Sequence, residues 1–193
     1  LGLAANDDET IDTHFALGSL YRRRGEVDRA IRVHQHLVDR PGIDPRYRDA
    51  AMTELARDYM RAGLLDRAEA LYTDLLAIDQ HAPVALRHLI SIYQQERDWH
   101  RAIEMAQRLQ ATSGDATAPL MAQFCCELAD QARARDDLAE ARRWATEATT
   151  VDPRCVRAHI LLGRLARTMG AAEQAIRHFE KAAEIDPDFL SEI

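Results

Sequence analysis

The chain of 193 residues carries 32 Asp and Glu against 25 Lys and Arg, a formal net charge of −7, which excludes attraction of the chain as a whole to nucleic acid or to an anionic membrane surface. Apolar residues make up 47% and charged residues 30%, a folding composition rather than a disordered one, and with only 8 Gly and 6 Pro the heavy use of Ala, Leu, Arg and Glu favours helix. Cys125, Cys126 and Cys155 form no C-x-x-C pair, which argues against a disulfide framework or zinc site. No apolar run approaches the roughly 18 residues needed to span a bilayer, and LGLAANDDETID has neither a basic segment nor an apolar stretch of a signal peptide, so the expected setting is soluble and reducing.

One phrase recurs along the chain: GEVDRA ending at Ala30, GLLDRA at Ala68, RDWHRA at Ala102, DDLAEA at Ala141 and GAAEQA at Ala175, with spacings of 38, 34, 39 and 34. Thirteen residues before each Ala stands a Leu: Leu17, Leu55, Leu89, Leu128 and Leu162. Two helices therefore recur in fixed register, in units of about 11–44, 49–82, 83–116, 122–155 and 156–189. The opening LGLAANDDETID reads as the tail of a preceding second helix, and the closing DPDFLSEI as the entrance to another first helix. Gly25, Gly63 and Gly170 stand where a first helix ends, and Pro153 and Pro187 break second helices. The two long periods place their extra residues in loops, RPGIDPRYRD at 40–49 and SGDATAP at 113–119. The phase resumes after each, so a single continuous solenoid is expected.

A Leu-Gly or Leu-Ala step in four of the five units, Tyr21, Tyr59 and Tyr93 in the first three, a turn, the recurring Ala, an aromatic position (His34, Tyr72, Phe179) and a closing apolar residue resemble the 34-residue tetratricopeptide (TPR) pattern. The fold class is then all-α, a right-handed TPR superhelix of about five helix hairpins with partial flanking helices. Small residues at the Gly and Ala positions let paired helices approach, while Leu and Tyr fill the space between hairpins. No hairpin buries its own apolar face, so the units must stack.

That architecture lines its concave surface with the first helix of each hairpin. The positions so assigned include nine Arg and four acidic residues, and the cationic set expected to bind a partner is Arg22, Arg23, Arg57, Arg61, Arg87, His88, Arg133, Arg157, Arg164 and Arg167. Two readings stay open. The set steers an acidic peptide or protein surface to the groove, or it merely solvates a helix face.

Chemistry has little purchase elsewhere. His34 and His36 are two apart and diverge on a helix; His14 and His159 take the large-residue position, where packing suffices; no H-E-x-x-H, Walker or G-x-S-x-G sequence occurs. Cys125 and Cys126 are neighbours about 100° apart on a helix and cannot easily bond to each other. Cys125 reads as core and Cys126 as a groove-facing thiol. No enzyme activity, metal or cofactor is expected in this chain.

LGSLYRRRGEVDRAIRVHQHL (17–37), ARDYMRAGLLDRAEALYTDLL (56–76) and FCCELA (124–129) resemble segments of the lipopolysaccharide assembly protein B (LapB, or YciM) family, and the match runs in register through all five units. The resemblance implies an adaptor on the cytoplasmic face of the inner membrane that works with the protease FtsH to promote degradation of the LpxC deacetylase, restrained by the sensor YejM, also called PbgA. It also implies an N-terminal membrane helix and a C-terminal rubredoxin-type module that binds iron or zinc through two C-x-x-C pairs. Neither feature is in this sequence, which is expected to be the TPR region alone. A generic TPR scaffold that clamps an acidic tail is the alternative, and the oligomeric state stays open, a homodimer included.

Overall fold

The computed structural model describes the backbone of residues 2–78 and 81–187, and the side chains of residues 9–78 and 81–187. Among the described residues ten helices follow in order: α1 (Gly2–Arg23), α2 (Val27–Val38), α3 (Pro45–Arg61), α4 (Leu65–Leu75), α5 (Ala82–Glu96), α6 (Trp99–Ser113), α7 (Ala118–Ala134), α8 (Leu138–Val151), α9 (Val156–Thr168) and α10 (Ala172–Ile185). α1 with α2, α3 with α4, α7 with α8 and α9 with α10 pair as hairpins, and the fold is all-α. The chain forms two compact units, Leu1–Ile92 and Tyr93–Ile193.

In the first unit α1 packs on α2, α2 on α3 and α3 on α4. The recurring Ala30 and Ala68 are wholly buried, and Ile11, Leu37, Ile43 and Ala51 form a core against Phe15, Val38 and Tyr47. In the second unit α7 packs on both α6 and α8, and α9 on both α8 and α10. There the core is mostly small: Ala122, Ala129, Ala132, Ala141, Ala145, Ala148 and Ala158 pack with Leu161, Leu162 and Leu165. Small residues keep the helix axes close, so the backbone itself supplies much of the packing. The tightest approach is at the Gly of the Leu-Gly step. A Cβ on Gly18 would overlap the His34 ring, and one on Gly163 would stand 2.6 Å from Phe179.

Three expectations need correction. Residues 40–49 and 113–119 are not wholly loops. Asp44 caps α3 by accepting the Arg46 N–H, with Pro45 at the first helical position, and Pro119 lies in the first turn of α7. These start signals pull the extra residues into the first helices, so α3 and α7 run to 17 residues where α9 has 13. Residues 2–12 do not end a separate helix, because α1 is continuous from Gly2 to Arg23; the expected entrance helix at 188–193 lies outside the described residues. Leu17, expected in the core, is 37% exposed, whereas Leu55, Leu89, Leu128 and Leu162 are buried. Among the described residues no helix covers its face of α1.

The hairpin turns need a left-handed residue. Gly25, Gly63 and Gly170 supply it, but Arg97 (φ 57°) and Asp136 (φ 61°) take the same conformation in the third and fourth hairpins, each followed by an Asp that caps the next helix. Arg97→Gly and Asp136→Gly should each raise stability by about 0.5 kcal/mol, because relief of the αL penalty exceeds the entropy gained by the unfolded chain; chemical denaturation measures it. Gly163→Ala should instead cost ~2 kcal/mol through overpacking on Phe179, read as a lowered melting temperature.

Candidate interaction surface

Within the first unit α1 lies beside α3, and within the second α7 lies beside α9, so first helices neighbour first helices on one face of each unit. The cationic residues assigned to that face divide into two kinds.

Arg22, Arg57, Arg133 and Arg157 are tied to carboxylates. Arg22 reaches from α1 to α3, where Nη2 donates to Glu54 at 2.5 Å and Nη1 to Asp58 at 2.7 Å. Arg57 donates to the other Glu54 oxygen at 2.5 Å. Asp58 is fully buried, and its second oxygen accepts from His34 Nδ1 at 2.5 Å, with His34 equally buried. A His at the aromatic position of α2 thus sits against Gly18 and holds a carboxylate of the next hairpin. In the second unit Arg157 on α9 donates to Glu127 at 2.6 Å and to Asp130 at 2.8 Å on α7, while Arg133 pairs with Asp130 at 3.0 Å. Each cluster sets two guanidiniums against two carboxylates and is close to neutral. Asp58, with no outward position, could not be found from groove geometry; a His where an aromatic is expected was the available signal.

Arg23, Arg61, Arg164 and Arg167 are exposed, and among the described residues none of their guanidiniums has a hydrogen bond or ion pair. They are the cations on these faces that a partner meets without first breaking an internal pair. Arg87 is exposed on α5. His88 stacks on the buried Tyr72 ring at 4.7 Å, and burial, helped by the Arg57 charge, lowers its pKa. It is therefore neutral at pH 7 and adds no charge.

The assignment of Cys126 is wrong. It is 0% exposed, because α9 and its N-cap residue Cys155 cover it, with the two sulfurs 3.9 Å apart. The Cys126 thiol, with help from the Ala158 N–H, draws the Cys155 thiol down to about 7 against the effect of burial. That same hydrogen bond, and then burial, push Cys126 upward, and burial raises Cys125 to about 11. Cys125 is core, as expected. Among the described residues no group of three or more His, Cys, Asp or Glu could hold a metal ion, and no helix is long and apolar enough to cross a membrane.

Burial alone would raise Glu54, but the Arg22 hydrogen bond and the Arg22 and Arg57 charges more than reverse it and hold the carboxyl below its usual range. A depressed acid contributes stability that is present above the unfolded pKa and lost as pH falls through the folded one. The stability advantage of the native chain over Glu54→Gln should therefore be full at pH 7 and shrink below about pH 4.3, measured by urea unfolding across pH. Asp58→Ala should cost ~3 kcal/mol, because it strips His34 of its buried acceptor and Arg22 of one partner.

Comparison with known proteins agrees with this architecture. A tetratricopeptide repeat model matches residues 53–117 and 126–188, and a second matches 13–42. Lipopolysaccharide assembly protein B of Escherichia coli K12 is 36% identical over 192 residues, covering 100% of this chain and 49% of its own length. The Haemophilus influenzae protein of the same name is 37% identical over 182 residues, 94% of this chain and 46% of its own. The chain thus spans about half the length of these curated relatives. Among solved structures, a crystal structure of MamA superposes with a TM-score of 0.59 at 22% identity, over 95% of this chain and 96% of that one. MamA from Desulfovibrio magneticus RS-1 gives 0.54 at 16%, over 92% and 96%. At such identities the likeness is one of fold.

Proposed function

The chain belongs to the tetratricopeptide repeat family, and from that premise we propose that it is a protein-binding scaffold in lipopolysaccharide assembly that captures an acidic segment of its client. The observation that carries the capture is the division, within each unit, of the first-helix arginines into paired and unpaired. Arg22, Arg57, Arg133 and Arg157 are already neutralised in place, while Arg23, Arg61, Arg164 and Arg167 stand exposed and unpaired among the described residues. An unpaired guanidinium offers a planar donor fork to a carboxylate without first breaking an internal pair. Similarity over the whole chain to lipopolysaccharide assembly protein B supports the biological setting.

The client in this reading is the LpxC deacetylase, delivered to FtsH at the cytoplasmic face of the inner membrane, with the sensor YejM (PbgA) opposing delivery. The scaffold contributes affinity and orientation, and the bond cleavage belongs to the protease. Because long-range steering is screened within about 8 Å at physiological salt, capture should weaken as ionic strength rises.

Binding of purified LpxC, the FtsH cytoplasmic region and the sensor's cytoplasmic segment to the chain tests the proposal. Arg61→Glu with Arg164→Glu and Arg167→Glu should weaken client binding by about tenfold or more and flatten its salt dependence, with the melting temperature unchanged because no internal pair is touched. Unaltered affinity and salt slope would refute capture by these arginines. Binding of unrelated acidic tails but none of the three proteins would favour a generic clamp.

A further inference from the structure

The second unit brings together two cysteines that the proposed capture does not use. Cys126 lies within α7 and Cys155 is the N-cap residue of α9. They are 29 residues apart in sequence, and their sulfurs are 3.9 Å apart. Both are buried, yet their settings differ. Cys126 is enclosed in the middle of a helix, whereas Cys155 ends the turn between α8 and α9, directly after the exposed Pro153 and Arg154. The Cys155 sulfur also accepts from the amide of the exposed Gln123 at 3.7 Å. It therefore lies directly beneath a surface side chain.

The three thiols differ in chemistry as well. The Cys126 S–H donates to the Cys155 sulfur, and the Ala158 N–H in the first turn of α9 and the Arg157 charge add to that hydrogen bond; together they favour the Cys155 thiolate against the effect of burial. The same hydrogen bond keeps Cys126 protonated. Cys125 turns the other way, into a hollow lined by Met121 and Trp144, and burial raises it to about 11. A thiolate favoured at a helix N-terminus, with a second thiol in contact with it, is the arrangement by which a cysteine pair responds to oxidants. We propose that Cys155 and Cys126 form a reversible disulfide when the protein meets a hydroperoxide, with Cys155 as the attacking sulfur and Cys126 as the resolving one.

In the first step the Cys155 thiolate attacks one peroxide oxygen. The S–O bond forms, the O–O bond breaks, and the departing oxygen takes up a proton, leaving Cys155 as a sulfenic acid. The Cys126 sulfur then attacks the Cys155 sulfur; the S–S bond forms as the S–O bond breaks, and the hydroxyl leaves as water with the Cys126 proton. Two electrons pass from the sulfur pair to the peroxide, and a thiol reductant returns them. The sulfurs must close from 3.9 Å to about 2 Å, a movement that the turn at 152–155 takes up more readily than α7 does.

Treatment of the reduced 193-residue chain with hydrogen peroxide at pH 7, followed by peptide mapping without reductant, tests this. The native chain should lose two of its three thiols, yield a linked pair of peptides carrying Cys126 and Cys155 that is lighter by two hydrogens, and recover all three thiols in dithiothreitol. The oxidised chain should melt several degrees higher, because the bond closes a loop of 29 residues. Cys125→Ala should leave the link in place. Cys155→Ala should slow peroxide consumption by about tenfold or more, and Cys126→Ala should stop at a Cys155 sulfenic acid that dimedone traps, with circular dichroism native in each variant. Three thiols that stay free in the treated native chain, which needs no substitution to read, would overturn the proposal. So would a link that disappears in a folded Cys125→Ala chain.

Discussion

Everything in this molecule depends on how closely two helices can lie. The recurring Ala of every second helix is buried, wholly so at Ala30, Ala68, Ala102 and Ala141, and Gly18 and Gly163 leave no room for even a Cβ against the partner ring. Close backbones leave little volume to fill, which is why Ala dominates the core of the second unit. They also leave each hairpin with an unburied face, and stacking follows from that.

Stacking in turn decides where charge can go. First helices lie side by side, α1 with α3 and α7 with α9, so long polar side chains on them reach across to one another. Arg22 and Arg157 do so in opposite directions along the chain, Arg22 forward to Glu54 and Asp58 and Arg157 back to Glu127 and Asp130. The positions that register assigns to nine Arg and four acidic residues resolve, within each unit, into a near-neutral clasp between first helices with isolated guanidiniums beside it. The proposed capture of an acidic partner draws on those isolated groups, and the clasps hold the helices that present them.

Buried polar groups mark where this arrangement departs from a plain repeat. His34 occupies an aromatic site, and its Nδ1 is satisfied by a carboxylate that is itself wholly buried and shared with Arg22. Such a chain of hydrogen bonds from α2 through α3 to α1 is costly to leave half made, so it fixes the register of the two hairpins more sharply than apolar contact alone. The Cys126–Cys155 contact joins α7 to the residue that opens α9 through a much weaker thiol hydrogen bond.

Helix identity, hairpin pairing and the place of each buried Ala were legible in the sequence, because a 34-residue period in small and apolar residues has only one way to be buried. Turn chemistry was legible where Gly announced it and hidden at Arg97 and Asp136, whose left-handed backbone follows from a neighbouring capping Asp and the packed hairpin. The nature of the candidate surface was half legible. Sequence register assigned the arginines to one face, but whether a guanidinium is spent on an internal carboxylate or left for a partner depends on which side chains adjacent hairpins bring within 3 Å. The burial of Cys126 and Asp58, and the exposure of Leu17, were decided the same way, by the helix that lies over each or by its absence. Periodicity along one chain determines what each helix must bury; only packing determines what it meets.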